Sequence, residues 1–514
     1  MTKLNAVFIF NPYSKIDHMP MVPALLQAIC HQHGLKAKSI DLNLEIQIAY
    51  EHKTFSAEIE SYLMYFTKLS GDAYNWYHTW LSKKADELIK LNSSWLGFSM
   101  LSYQSLSFTQ DILYYIKSKK PEQQILVGGN GISVWENTNK FFRDDKKKTY
   151  ADVLIDTGLA DAIVINEGET NIIDIISNNK KGKFEERQQI TSTQLNDLPA
   201  PTYIDYKLHD YKKYSKAEGG GLMFEDAAAT IIGSKGCVRK CTFCDVATFY
   251  PKFVFKSGKK IADEIIKIYE TTGVTEFAFA DSLINGSMLA FREMNKELAK
   301  RLPKTISYKG EYIAKPVGQT TDEDYALMKE AGCKAVFVGV ESGSERVRMH
   351  MKKKFTNEDL YTMIEKLYEY KIDQSWNLMI GYITETREDF EDTLNLVKKY
   401  SHIPFPRLVT NPSSILHLLP GSPIYDLHWK EMDLGWEDVK DAVGFAYDYW
   451  TSGSNPENTF LTRCNHFKEL LTLCYNIGQM TEGRYKTKMD VAEKMIEHYN
   501  ENIIKTKKTV AVYS

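Results

Sequence analysis

Cys237, Cys241 and Cys244 are separated by three and then two residues within Gly236-Cys-Val-Arg-Lys-Cys-Thr-Phe-Cys244. Three cysteines this close can occupy, as thiolates, three corners of a cubane [4Fe–4S] cluster, which ordinarily takes four cysteine ligands. The fourth iron is then open to a ligand that is not protein, which points to chemistry rather than scaffolding. Zinc is the alternative metal, and a structural zinc site wants four Cys or His ligands. No histidine occurs between His209 and His350, and Cys333 lies far along the chain, so a local zinc site would lack its fourth ligand.

The elements around this triad alternate. Ala227 to Gly233 reads as a strand leading directly into the cysteines. Further strands are expected at Glu276–Ala280, Thr305–Tyr312, Ala335–Val340, Gln374–Gly381 and Leu416–Leu419. Helices fall between them, near Lys259–Thr271, Met288–Arg301, Asp322–Ala331, Asn357–Tyr370 and Glu388–Tyr400. Six strand-helix units in series predict a partial (β/α)6 TIM barrel over residues 226–425, with its chemistry at the carboxyl ends of the strands. The polar residues fall there: the triad after the first strand, Asp281-Ser282 after the second, Glu341-Ser342-Gly-Ser344 after the fourth and Gly381 to Thr386 after the fifth.

Ahead of the barrel, residues 1–180 read as an α/β, Rossmann-like doubly wound sheet. Its strands are Leu4–Phe10, ended by Asn11-Pro12, then Lys36–Leu42, Ser94–Leu101, Gln124–Gly131 running into its glycines, and Asp161–Asn166, with helices near Val22–Gln32 and Ser105–Lys119 between them. Ligands of such sheets sit beyond the strands' carboxyl ends. A helical insertion over 51–92 carries Tyr62, Tyr65, Phe66, Tyr74, Trp76, Tyr77 and Trp80, either as an extra pair of helices packing on the sheet or as a lid. Gly128-Gly-Asn-Gly131 lacks the spacing of a dinucleotide fingerprint. Residues 181–225, polar and turn-rich, read as a linker, and 426–514 as a helical C-terminal domain. Within it Trp429, Trp436, Phe445, Tyr447, Tyr449 and Trp450 are either core or a substrate wall. Helices are expected near Phe460–Gln479 and Asp490–Ile504, with the tail from Lys505 frayed.

Composition narrows the partners. Lys plus Arg number 64 against 67 Asp plus Glu, a net charge of −3 with no nucleic-acid or membrane-surface footprint. No apolar run approaches the roughly 20 residues of a membrane helix, and the N-terminus lacks a signal-peptide pattern. The expected partner is a small molecule or peptide. Seven cysteines, an odd number with three clustered, fit metal ligation in a reducing cytoplasm better than a disulfide framework. Cys30, Cys333, Cys464 and Cys474 read as buried core residues and Lys352-Lys-Lys354 as a solvated turn. Asp281 has an alternative role capping its turn, and Glu341 one pairing with Arg346.

Two resemblances add to this. Cys237-x-x-x-Cys241-x-Phe243-Cys244, directly after a first barrel strand, resembles the cluster motif of the radical S-adenosylmethionine (SAM) superfamily. The resemblance implies that the methionyl amine and carboxylate of SAM chelate the open iron and that Phe243 lies near the adenine. It also places Asp281 and Ser282 by the methionyl amine, and Glu341 and Ser342 facing the ribose and carboxylate. Met379-Ile380-Gly381-Tyr-Ile-Thr-Glu-Thr386 is similar to the family's adenine-side segment, with Ile383 where proline is usual. Leu419-Pro-Gly-Ser-Pro-Ile-Tyr425 resembles the ending of the same barrel type. Over about residues 1–180, Gly97-Phe-Ser99-Met, Val127-Gly128-Gly129 and Asp161 to Glu169 look like the cobalamin-binding-type domain of B12-dependent radical SAM enzymes, which implies Ser99, Gly128 and Gly129 as cofactor contacts. The Asp-x-His-x-x-Gly loop that ligates cobalt in other cobalamin proteins is absent from the sequence, and relatives of this type commonly do without it.

The function implied is reductive cleavage of SAM to a 5′-deoxyadenosyl radical, followed by cobalamin-dependent methyl transfer to an unactivated carbon. Electrons would come from a reductant such as flavodoxin or ferredoxin. A methylthiotransferase would bring a second cysteine triad, and only Cys30 precedes the barrel. The rival expectations are the same architecture without cobalamin, catalysing isomerisation, cyclisation or oxidation, and a non-enzymatic iron–sulfur or SAM-binding regulator.

Overall fold

The computed structural model describes residues 3–14, 16, 18–133, 148–185, 188–217, 228–404, 407–409, 414–418, 422–428 and 450–513. Its first unit takes in Met1–Gly233, Val254–Ala280 and Arg301–Ile306. A six-stranded parallel sheet runs in the order Ala37–Asp41, Leu4–Phe10, Ser93–Ser99, Gln124–Gly128, Ala162–Ile165, Gly182–Glu185. Alternate residues of each strand feed two cores. Val7, Ile9, Leu96, Phe98, Ile125 and Val127 pack on one face, while Ala6, Phe8, Trp95, Leu126 and Val164 pack on the other. A sheet covered on both faces explains the continuous apolar runs. The order in which strands are added reverses between Leu4–Phe10 and Ser93–Ser99, which makes their carboxyl ends the switch point where ligands of such sheets bind.

The insertion over 51–92 forms helices Ser56–Tyr65 and Gly71–Lys90, and a further helix, Leu42–Tyr50, precedes it. Tyr77, Leu81, Ala85 and Leu88 enter the sheet's core, and the hydroxyls of Tyr62 and Tyr77 donate to Asp111 at 2.6 and 3.1 Å. This is the packing arrangement rather than a lid. The stretch read as a linker is largely structured: Gly182–Glu185 is the sheet's sixth strand, and helices Ser192–Asp197 and Leu208–Ala217 follow. Tyr203, Tyr206 and Tyr211 are buried there, and Tyr211 donates to Asp41. Polar composition concealed these anchors; Gly219 to Gly221 lie outside the described residues.

Three more strands belong to this unit: His18–Met19, Ala228–Ile231 and Glu276–Phe279, parallel with Ala228–Ile231 between the other two. His18–Met19 is too short to leave a periodic signal. The second unit takes in Ser234–Phe253, Asp281–Lys300 and Ser307–Ser514. It contributes parallel strands Ser307–Tyr312, Cys333–Glu341, Asp373–Leu378 and Arg407–Val409 in that order. Helices Asp322–Glu330, Asn357–Glu369 and Arg387–Lys399 start alike, with Thr321, Thr356 and Thr386 each forming a capping box with an aspartate three residues on.

The final strand differs from expectation. It is Arg407–Val409, whereas Leu416 and Leu418 pack in a core cluster with Tyr382 and Trp450, and Ile415 makes a single bridge to Ile380. Among the described residues, Leu416 and Leu418 serve that core, and pairing at this stretch is limited to the Ile415 bridge, where the Leu416 amide donates to the Ile380 carbonyl. The C-terminal segment holds helices Phe460–Asn476 and Glu482–Tyr513, the latter running through the stretch expected to fray. Trp450 is core: its indole N–H donates to the Leu416 carbonyl, and the Arg463 guanidinium lies 3.8 Å from its ring centroid. Leu419 to Gly421, Trp429, Trp436, Phe445, Tyr447 and Tyr449 lie outside the described residues. No helix among the described residues is long and apolar enough to cross a membrane.

Candidate active site

The cysteine loop needs a glycine at its entrance. Gly236 has φ of +79°, and a Cβ there would lie 2.4 Å from the Lys252 carbonyl oxygen. Ser234, two residues before it, donates its hydroxyl to the buried Asp281. Asp281 thereby braces the loop's base, and Ser282 beside it is half-buried. The loop's far side is tied down by Thr242. Its amide donates to the Met351 carbonyl at 3.1 Å, and its hydroxyl meets that of Tyr382 at 2.7 Å; the Tyr382 hydroxyl also meets His350 Nδ1 at 2.9 Å.

The donor set suits a cluster. The three cysteines of the loop are in no disulfide and are buried or half-buried. Burial pushes the Cys241 thiol up and that of Cys244 to about 12, because an isolated thiolate there is poorly solvated. A coordinating iron removes that penalty, since a metal-bound thiol is deprotonated outright. Among the described residues no three His, Cys, Asp or Glu side chains converge as ligands of a single ion must. A cubane asks instead for one thiolate per iron at separate corners.

The electrostatics agree. Three thiolates on an oxidised [4Fe–4S] core leave net negative charge, and cations surround the loop. The Arg239 amide donates to Cys237 Sγ at 3.4 Å, and its buried Nε has no hydrogen-bond partner. Lys315, held down by burial and by Arg239, is drawn up by Cys237. Lys353 lies buried with Nζ 5.8 Å from the Phe243 ring centroid and 2.9 Å from Glu341 Oε1. A buried guanidinium nitrogen without an acceptor is a costly arrangement for an empty site and a natural one beside an anionic cluster.

Glu341 ends the Cys333–Glu341 strand at φ of +63°, in left-handed backbone rarely held by a residue with a side chain. The ladder to Asp373–Leu378 shifts register at this point. Its partner is Lys353, whereas Arg346 pairs with Asp389. Glu311, at the end of the Ser307–Tyr312 strand, is pushed up to about 7 by burial and by Glu341, with Lys353 opposing. Ser342 is wholly buried, its hydroxyl meeting that of Thr393 at 3.4 Å and accepting the Ser344 amide at 3.1 Å.

Ile380 is buried, and Gly381 has φ of +80° with its amide donating to Glu385 Oε1 and its carbonyl accepting from Asn458. Glu385, in the turn just before the Arg387–Lys399 helix, is buried with its Oε2 without a partner, and burial pushes its carboxyl up to about 8. Sequence reasoning missed Glu311 and Lys315, quoted Glu385 only within its segment, and read Lys353 as part of a solvated turn, although it is buried; each owes its importance to the residues it meets across the fold.

The other predicted contacts stand at the switch point of the first unit's sheet. Ser99 pairs with Gly128 in the ladder, and Gly129 has φ of +104°. A Cβ on Gly129 would lie 2.4 Å from the Met100 carbonyl oxygen, and one on Gly131 would lie 2.4 Å from that of Ser102. Asn11, just past Leu4–Phe10, donates to Thr109 while its Oδ1 is buried without a partner. Ser105 precedes the Leu106–Lys119 helix with a buried, unpartnered hydroxyl, although serine at that place normally accepts a helix amide. Unsatisfied neutral polar atoms beside close-packed glycine turns fit a neutral, amide-fringed ligand at this edge.

Comparison with known proteins agrees with this geometry. A model of the Radical SAM superfamily matches residues 231–397. Among relatives, an uncharacterized methyltransferase of Pyrococcus horikoshii is 24% identical over 46% of this chain and 53% of its own length. A putative methylthiotransferase of Methanocaldococcus jannaschii is 22% identical over 61% of this chain and 67% of its own. The chain thus spans about half to two thirds of these curated relatives. Among solved structures, OxsB with aqua-cobalamin and SAM bound aligns with a TM-score of 0.60 at 16% identity, covering 97% of this chain and 71% of that one. TsrM from Kitasatospora setae with cobalamin and a [4Fe-4S] cluster bound aligns with 0.56 at 14% identity, covering 83% and 78%. The likeness in both is one of fold. The matched stretch, which contains the whole cysteine triad, is a Radical SAM domain over residues 231–397, and such a domain implies a [4Fe–4S] cluster and SAM.

Proposed function

We propose that this chain is a radical SAM enzyme that transfers a methyl group to an unactivated carbon of a small molecule or peptide, with cobalamin at the switch point of its N-terminal sheet. When bound, the cluster and SAM supply a 5′-deoxyadenosyl radical after one-electron reduction, and cobalamin supplies the methyl group. Cys237, Cys241 and Cys244 hold the cluster, and Arg239, Lys315 and Lys353 offset its charge. Phe243, Ser282, Glu341, Ser342, Ile380 and Gly381 line the SAM side, and Asp281 keeps the loop in place. Ser99, Gly128 and Gly129 form the cobalamin edge with Asn11 and Ser105. A low-potential carrier such as flavodoxin or ferredoxin delivers the electron.

The observation that carries this reading is a cysteine triad accompanied by the buried Lys353 and the half-buried Arg239 and Lys315, in a chain whose other sheet keeps unsatisfied neutral polar atoms at its own ligand edge. The methylthiotransferase alternative is disfavoured, because the described N-terminal sheet contains only Cys30, buried in the Met21–Gln32 helix. Anaerobic reconstitution with iron, sulfide and hydroxocobalamin tests the proposal. Expected are one [4Fe–4S] cluster, cobalt retained after desalting, and 5′-deoxyadenosine formed from SAM under strong reductant. A cluster with SAM cleavage and no retained cobalt would favour cobalamin-independent radical chemistry. A cluster without any SAM cleavage would favour a regulatory protein.

A further inference from the structure

Lys353 is the middle residue of a three-lysine run, yet it is buried while Lys352 and Lys354 are exposed. The backbone explains the inversion. Lys352 and Lys354 have φ of +60° and +57°, so a left-handed residue stands on each side of Lys353. Left-handed residues with side chains cost on the order of 1–3 kcal/mol each and persist only where surroundings impose them. Glu341, the partner of Lys353, is left-handed as well. Three strained residues therefore frame one ion pair.

Gly339 leaves space for that pair. A Cβ on Gly339 would lie 2.6 Å from Glu341 Oε1 and 2.7 Å from Lys353 Nζ. The ammonium is seated beside the cluster loop, since it sits near the Phe243 ring, Phe243 precedes Cys244, and the Thr242 amide is tied to Met351 two residues before Lys353. Burial works against its charge, and Glu341 together with Cys241 more than restores it. A strut binding two strands needs neither the strained turns nor a position next to a thiolate. Lys256 and Glu264 show the simpler form in this chain: a buried pair in which both carboxylate oxygens accept from the ammonium.

We propose that Lys353 and Glu341 form a preset charge pair that sets the reduction potential of the cluster held by Cys237, Cys241 and Cys244. This rests on the cluster assignment above. Net charge and surrounding dipoles are among the protein's main levers on such potentials. Reduction adds one electron, supplied by a low-potential one-electron donor, to a site that already carries negative charge. The Lys353 ammonium favours the reduced form, and the Glu341 carboxylate moderates it. Lys353 is a positioning residue in this account, because it acts through the field it places on the cluster.

The test is a dithionite-mediated redox titration of the reconstituted cluster without SAM, followed by the EPR signal of its reduced form. Lys353→Met is expected to lower the midpoint potential and Glu341→Gln to raise it. A structural role would shift both in one direction or neither, and either of those results overturns the proposal. If Lys353→Met fails to fold, Glu341→Gln carries the test alone: a positive shift supports the proposal, and an unchanged or lower potential overturns it. A normal SAM-free potential in Lys353→Met, combined with lost perturbation of its EPR signal by SAM, would place Lys353 on SAM instead and also overturn it. Failure of the wild-type chain to take up any cluster would sink the site assignment, a result separable from all of these.

Discussion

The mouth of the cysteine loop and the ligand edge of the N-terminal sheet are built from different materials. The first collects charge: three thiols, Arg239, Lys315, the Lys353–Glu341 pair and a raised Glu311. The second sets glycine turns at 129 and 131 beside the unsatisfied neutral dipoles of Asn11 and Ser105, with the buried carboxyls of Asp41 and Glu167 at neighbouring strand ends. An anionic metal cluster must be balanced by cations, because burying uncompensated charge is expensive. A large neutral cofactor asks for clearance and hydrogen bonds, which backbone and glycine supply. The first kind of site writes a compact motif into the sequence. The second writes glycines and serines that occur everywhere.

Four substitutions separate or blur that contrast. Cys241→Ala should reduce 5′-deoxyadenosine formation to background and lower the iron content, while leaving cobalt retention and far-UV circular dichroism of the folded chain intact. Retained SAM cleavage would break the assignment of the loop. Gly129→Val is the converse: a side chain at φ of +104° against the Met100 carbonyl should cut retained cobalt severalfold and leave iron content unchanged. Parallel loss of both cofactors would mean that the two sites are not separate in the way described.

Gly381→Ala should act on stability. The new Cβ would lie 2.0 Å from Cδ of the buried Arg463, and the φ of +80° adds about 1–2 kcal/mol of left-handed backbone cost, so chemical denaturation should show at least that loss. The smallest effect is in pH dependence. Glu385 has a folded-state value of about 8, above its ordinary value, so it holds its proton better in the folded chain. Its contribution to stability is full below the ordinary carboxyl range and is lost as pH rises through about 8. Glu385→Gln keeps an acceptor for the Gly381 amide and should flatten the fall in stability measured between pH 5 and 8. An unchanged slope would show that Glu385 is charged in the fold.

The same contrast explains what the sequence made legible. The Gly258–Thr272 helix, with Ser257 capping one end and Gly273 closing the other, and the strands Leu4–Phe10 and Cys333–Glu341 follow from local pattern. Four elements did not. His18–Met19 and Arg407–Val409 are too short for periodicity, and Gly182–Glu185 is half exposed and polar. Leu42–Tyr50 begins at the strand's last residue, with Asp41 serving both. The triad was readable because its ligands are adjacent in sequence. Lys353 was not, because its inward turn depends on left-handed backbone at Lys352 and Lys354, which no composition rule assigns to lysine.

The central claim is that the three-cysteine cluster leaves one iron for SAM. The most direct measurement is EPR with electron–nuclear double resonance on the reduced, reconstituted protein, with SAM labelled with ¹⁵N at the methionyl amine and ¹⁷O at the carboxylate. The account predicts that SAM changes the cluster signal and that both labelled atoms show hyperfine coupling to it. A reduced [4Fe–4S] signal that neither shifts with SAM nor couples to either label would contradict it.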